Sequence, residues 1–151
     1  MRKVNRSALV PYSAEQMFAL VDDVESYPEF LPWCNDTVVH YRGENVVEAT
    51  LEMHHGKLSK HFRTRNTSTP GQAMDIALVD GPFRQLAGGW RFTQLGETGC
   101  KVVLEIEFDF ASRIVDAVFG AFFEDTCNAL VDAFTCRANQ IYGTQQQEHE
   151  R

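Results

Sequence analysis

SRIVDAVFGAFFEDTCNALVDAFTCRANQIY, residues Ser112 to Tyr142, is the stretch whose reading decides the fold. Val115, Val118, Phe119, Phe122, Phe123, Cys127, Leu130, Phe134 and Ile141 recur at steps of three and four, which at 100° per residue makes one broad apolar face. Glu124, Asp125, Asn128, Asp132, Thr135 and Asn139 fall on the opposite, wet face. Ser112 reads as the N-cap and Gly143 as the C′ stop. Such a helix would be about 45 Å long, so its aromatic face needs a cover.

The cover lies upstream. From residue 35 to residue 110 the apolar period is two. Val47, Ala49, Leu51 and Met53 alternate with Val46, Glu48, Thr50 and Glu52, and Leu58, Phe62 and Thr64 alternate with Ser59, His61, Arg63 and Arg65. Met74, Ile76 and Leu78 form a third run, Trp90 and Phe92 a fourth, and Val102 to Phe110 a fifth. Turn signals separate them at Gly43-Glu44-Asn45, His54-His55-Gly56, Pro70-Gly71, Asp80-Gly81-Pro82 and Gly96-Glu97-Thr98-Gly99. Short connections predict an antiparallel meander with one face apolar. Before it, Val4 to Val10 reads as a first strand, and Ser13-Ala14-Glu15-Gln16 as a capping box opening a short helix that ends near Asp22-Asp23. Pro28 and Pro32 then break regular structure while Tyr27, Phe30, Leu31 and Trp33 crowd between and beside them.

The architecture that follows is α+β: about seven antiparallel strands in a curved sheet wrapped around the long C-terminal helix, with one or two short helices after the first strand. Residues 1–143 form one domain, and 144–151 read as a polar, disordered tail. Trp90, Phe92, Phe108 and Phe110 from the strands face Phe119, Phe122, Phe123 and Phe134 from the helix. A curved sheet on a straight rod closes imperfectly, so an apolar cavity is expected between them.

Composition narrows the function. The 151 residues are 44% hydrophobic and 23% charged, with a net charge of −7, which fits a globular domain and argues against general attraction to DNA. No apolar run approaches the length of a membrane span, and Cys34, Cys100, Cys127 and Cys136 have no metal or disulfide spacing. They read as buried thiols in a cytoplasmic protein.

Catalytic signatures are missing: there is no Gly-x-Ser-x-Gly, no His-Glu-x-x-His and no phosphate loop. His54 and His55 read as a polar turn, not as metal ligands. Asp22, Asp23 and Glu25 read as a solvated helix end. The expectation is a protein with no catalytic residues, no metal and no required cofactor. Gly120, in mid-helix, leaves three readings open: a bend, close approach by a ligand, or packing on the sheet. Lys57, His61, Arg63 and Arg65 form a basic stripe. It reads first as a cross-strand charge ladder with Glu48 and Glu52, and second as a contact for RNA or anionic lipid.

Three stretches carry a family resemblance. Ser13 to Cys34, with Phe18-x-Leu20-Val21-x-Asp23-Val24-Glu25-x-Tyr27-Pro28-Glu29-Phe30-Leu31-Pro32-Trp33-Cys34, resembles the N-terminal signature of the coenzyme Q-binding and ribosome-association-toxin family of START-like, helix-grip proteins. Asp80-Gly81-Pro82-Phe83-Arg84-x-Leu86-x-Gly88-x-Trp90-x-Phe92 resembles its central signature, and Phe134-x-x-Arg137-Ala138-x-x-x-Tyr142-Gly143 its ending. The resemblance implies a helix-grip fold that binds ubiquinone or another prenyl lipid and supports respiration. It also implies a toxin of a toxin–antitoxin pair, binding the large ribosomal subunit and partnered by a small antitoxin. A polyketide cyclase is a weaker implication, because the predicted inward positions are nearly all hydrocarbon. The ligand would lie against Tyr27, Phe30, Leu31 and Trp33 at one rim and Phe83 at the other. Leu51, Phe62, Trp90, Phe92 and Phe108 would meet it from the sheet, and Phe119, Phe122, Phe123 and Phe134 from the helix. Transient contact with a membrane fits such a carrier.

Overall fold

The computed structural model describes the backbone of residues 1–150 and the side chains of residues 1–143. In chain order it has β1 (Arg2–Val10), α1 (Ala14–Asp22), a 3-10 turn (Val24–Glu29), β2 (Cys34–Gly43), β3 (Val46–His55), β4 (Leu58–Thr69), β5 (Ala73–Asp80), β6 (Phe83–Leu95) and β7 (Gly99–Phe110). There follow α2 (Arg113–Val115), a π-helical turn (Asp116–Gly120) and α3 (Ala121–Glu150). The strands make one seven-stranded curved antiparallel sheet in the order β1-β7-β6-β5-β4-β3-β2. The first strand therefore pairs with the last, with Val4 opposite Ile106.

Period two decides which side chains meet the helix. Val47, Ala49, Leu51 and Met53 are buried along β3, and Val102, Leu104, Ile106, Phe108 and Phe110 along β7. Bulges at Cys34/Asp36, Val39/Tyr41, Arg63/Thr64 and Phe83/Gln85 interrupt the register; each adds local bend and twist to its strand. Leu58 departs from the inward pattern. It opens β4 beside the His55-Gly56 turn and is 54% exposed. Gly88 permits close packing of β6 on β7: an added Cβ would lie 2.1 Å from the Glu105 carbonyl oxygen.

Caps behave as the sequence indicates. Ser13 and Gln16 complete a capping box. The Ser112 hydroxyl accepts from the Ile114 and Val115 amides. The long helix itself differs in phase. A π turn inserts one extra residue per turn, and the buried stripe runs through Phe119, Phe123, Cys127, Val131, Phe134 and Ala138. Val118, expected on the apolar face and lying within the π turn, is 39% exposed; Ile141 shares the face of buried Phe134, seven residues earlier, and is 36% exposed.

Gly143 does not stop the helix, which runs through it to Glu150. Glycine ends a helix where the chain turns left-handed; here the following Thr-Gln-Gln-Gln continues it. Of the stretch 144–151, expected as a disordered tail, the side chains and residue 151 lie outside the described residues.

The wet face is tied to β1 and its exit. Arg2 bridges Asp116 at 3.2 Å and Glu124 at 3.1 Å, Arg6 Nε donates to Asn128 at 2.9 Å, and the Tyr12 hydroxyl donates to Asn139. Gly120 takes part in this clamp. A Cβ there would come within 2.6 Å of the Arg2 guanidinium, so the space above Gly120 belongs to Arg2 and not to a ligand.

Candidate functional site: a cavity and a groove

Much of the expected gap is filled by rings. Phe83 stacks on Phe110 at 4.5 Å, and Phe123 packs edge-on against Phe108 at 4.9 Å. These contacts close one end of the bowl. Phe92 packs between Trp90 and Phe18, and Phe119 sits against His55. Phe30 contacts Tyr27 and Phe134, with the Arg137 guanidinium 5.0 Å from its centroid. Phe30, Phe83, Phe92, Phe108 and Phe119 thus pack against other rings and line neither the cavity nor the groove. Alternation put them on the inner face, but where along the rod a ring meets another ring is a tertiary fact.

What remains is a cavity of about 80 Å³ between sheet and helix. Tyr27, Trp33, Leu51, Phe62, Trp90, Phe123 and Phe134 line it, all named from the sequence. Ligand pockets are usually several hundred Å³, so this space alone is small. Outside it runs a groove of about 580 Å³ between the loop around Leu31–Trp33, the His54-His55-Gly56 turn and the outer edge of α3. Leu31 and Phe122 line the groove, and Trp33, Thr126 and Leu130 belong to the walls of both spaces. These three side chains are the partition between a partly open apolar cavity and a more open, largely apolar channel.

The rim is held in place by polar contacts. The His54 ring bonds to the Pro32 carbonyl oxygen at 2.8 Å, tying the β3–β4 turn to the Trp33 loop. His55 stacks on Phe122 at 4.2 Å. Both histidines are groove walls, a role their sequence position did not reveal. The Tyr27 hydroxyl donates to the Val21 carbonyl. Burial raises the tyrosine pKa far above its usual range, with neighbouring Asp22 adding to the effect, so the ring stays neutral. Burial likewise pushes the Cys127 thiol in the cavity wall up to about 12.

The wall holds one polar feature that alternation did not single out. Thr64 and Asn66 are 4% and 7% exposed, and the Thr64 hydroxyl donates to Asn66 Oδ1 at 3.1 Å. Asn66 sits two residues beyond Thr64 on the same face of β4. Reading the run past Arg65 would have found it.

The groups weighed for catalysis point elsewhere. Asp22 and Glu25 both pair with Arg42, at 3.3 and 2.7 Å, and Asp23 accepts from Ser26. Among the described residues no three of His, Cys, Asp or Glu converge as a metal site. Three cysteines are buried, but Cys136 is exposed.

The basic stripe is engaged on the outer face of the sheet. Arg63 and Arg65 pair with Glu48 at 2.9 and 3.2 Å, and His61 with Glu52 at 3.1 Å. Burial pushes the Glu48 carboxyl up, but the two arginines outweigh it and hold it below the usual range. Lys57 is exposed in the turn. No described helix is long and apolar enough to cross a membrane.

Comparison with known proteins adds a second line. The family model described as polyketide cyclase / dehydrase and lipid transport matches residues 10–135. The chain is 48% identical over 143 residues to the ribosome association toxin RatA of Vibrio cholerae, covering 95% of this chain and 99% of that protein. It is 29% identical over 147 residues to the mitochondrial coenzyme Q-binding protein COQ10 homolog B of Xenopus laevis, covering 94% of this chain and 60% of that one. The Zhui aromatase/cyclase structure from Streptomyces superposes with a TM-score of 0.80 at 17% identity, covering 92% of this chain and 94% of that one. At that identity the likeness speaks to the fold alone.

Proposed function

The chain belongs to the polyketide cyclase / dehydrase and lipid transport family, on the branch that holds the ribosome association toxins, and from that premise we propose that it binds an elongated apolar molecule, a prenylated quinone, without chemically changing it. One observation carries the reading: an apolar cavity between sheet and helix and a more open apolar groove share Trp33, Thr126 and Leu130. A ring-sized head entering past these residues meets Trp90, Phe123 and Phe134, which offer aromatic faces and edges. The tail lies in the groove against Leu31, Phe122 and the Ala129–Ala133 edge. Each buried five-carbon unit contributes on the order of 3–4 kcal/mol before the costs of ordering and association. Supporting respiration as a quinone chaperone is the cellular role that fits. The test is organic extraction of protein purified from its host, followed by mass spectrometry. A prenyl lipid in stoichiometric amount supports the proposal; repeated absence, together with no binding in vitro, refutes it.

A second reading rests on the identity to RatA. On it, the protein binds the large ribosomal subunit and blocks subunit association, with a small antitoxin as its partner. This use needs an outer surface and leaves the cavity available, so the two readings are compatible. Overexpression followed by a sucrose gradient tests it: free subunits should rise at the expense of intact ribosomes, and an unchanged profile removes the reading.

A further inference from the structure

We propose that Thr64 and Asn66 form a hydrogen-bonding seat for the head of the bound molecule, so that the cavity selects an uncharged head bearing a carbonyl oxygen. This inference rests on the cavity reading above and adds to it the chemistry of what enters.

Within the sheet the pair's neighbours are hydrocarbon, and Thr126 of α3 brings a further hydroxyl to the cavity lining. Across the sheet Thr64 faces Ala49 and Leu78, and Asn66 faces Val47 and Ile76. Both side chains line the cavity. A buried polar group without a partner destabilises a fold, whereas valine and leucine at these positions would cost nothing of that kind. The Thr64 hydroxyl gives its proton to Asn66 Oδ1. That fixes the amide with its oxygen toward Thr64 and its nitrogen, with two N–H donors, on the other side. Among the described residues the Asn66 amide nitrogen has no partner, yet no fully enclosed polar side-chain atom lacks one. The nitrogen therefore faces cavity space and not packed carbon.

The donors call for an acceptor, and the surroundings set its charge. None of the residues lining the cavity is charged. Arg63 and Arg65, on either side of Thr64 in sequence, point to the other face of β4 and are held by Glu48. A carboxylate or phosphate would enter without a counter-ion, at a high desolvation cost. A ketone or quinone carbonyl gains the amide's hydrogen bond and brings no charge. The Tyr27 hydroxyl does not compete, because it is bound to Val21.

Three probes of matched shape test this: geranylbenzoquinone, geranylbenzene and geranylbenzoate. Each is titrated into the full chain and followed by the fluorescence of Trp33 and Trp90. The wild-type protein should prefer the quinone to the hydrocarbon and bind the carboxylate worst. The double variant Thr64→Val/Asn66→Leu removes donor and acceptor together. It should bind the quinone about tenfold more weakly and the hydrocarbon at least as well as before. Equal quinone affinity in the folded double variant overturns the proposal. A second measurement needs no variant: the infrared carbonyl stretch of the quinone should move to lower frequency in the wild-type complex, and an unshifted band overturns the seat. Wild-type protein that binds quinone and hydrocarbon equally retires the seat and leaves the cavity reading standing. Wild-type protein that binds neither retires both.

Discussion

Replacing Leu130 with alanine removes a side chain shared by the cavity wall and the groove wall. The substitution takes away three carbons. At about 0.8 kcal/mol each, full burial would make this roughly 2.4 kcal/mol. Leu130 is half-buried, so the cost should be about 1–2 kcal/mol, below the 2–5 kcal/mol of a fully buried leucine. The effect on binding should have the opposite sign. On the proposed reading, a ligand head passing the partition displaces Leu130 or Trp33 from its rotamer, at about 0.5–1.5 kcal/mol. Removing that barrier should speed association about two- to tenfold. Urea unfolding gives the stability change, and stopped-flow fluorescence gives the rate, with Trp33 at the partition and Trp90 inside as reporters. A variant destabilised as described but binding a short prenylated quinone no faster would refute the partition. A loss near 4–5 kcal/mol would show that Leu130 is core and that the groove does not lead inward.

Other expectations are simpler to check. Phe134→Ala should lose about 3–5 kcal/mol in chemical denaturation, since its ring is 1% exposed and packs against Tyr27, Phe30 and Trp90; a loss under 1 kcal/mol would contradict the packing. Gly88→Ala should fail to give soluble folded protein, because the new methyl meets backbone and not a movable side chain; a normal melting curve would count against the register. A thiol reagent should modify Cys136 rapidly in the native protein and the other three only on unfolding. Burial raises Cys34 and Cys127 to about 12 from an ordinary 9.0. Above pH 9 the unfolded chain has released those protons and the folded chain has not, so stability should fall as pH rises from 9 toward 12; a flat profile in that window refutes it. Glu48→Gln releases Arg63 and Arg65 and should strengthen any salt-sensitive binding to ribosomal RNA. The ladder's own stabilisation is present above the ordinary glutamate range and is lost as pH falls through the lowered folded value.

Alternation and capping are local properties, and they were legible without coordinates. The strands, the capping box at Ser13 and the N-cap at Ser112 follow from side-chain period and hydrogen-bonding groups within a few residues. So does the prediction that the sheet must grip the final helix, because no other apolar surface was large enough. Seven of the fourteen residues named for the ligand line the cavity, and Leu31 and Phe122 line the groove beside it.

Only the tertiary structure decided how much room remains. Phe83, Phe92 and Phe108 carry the same inward signal as Trp90, yet they interlock with other rings while Trp90 also borders open space. The π turn at Asp116–Gly120 shifted the helix face in a way a fixed 3.6 period does not encode. Arg2 reached Gly120 from the far end of the chain. Asn66, its amide oxygen bonded by the Thr64 hydroxyl, borders a cavity only because six other elements closed around it. Period two says which way a side chain points. What it points at depends on residues distant in sequence, and that is settled only when sheet and helix pack.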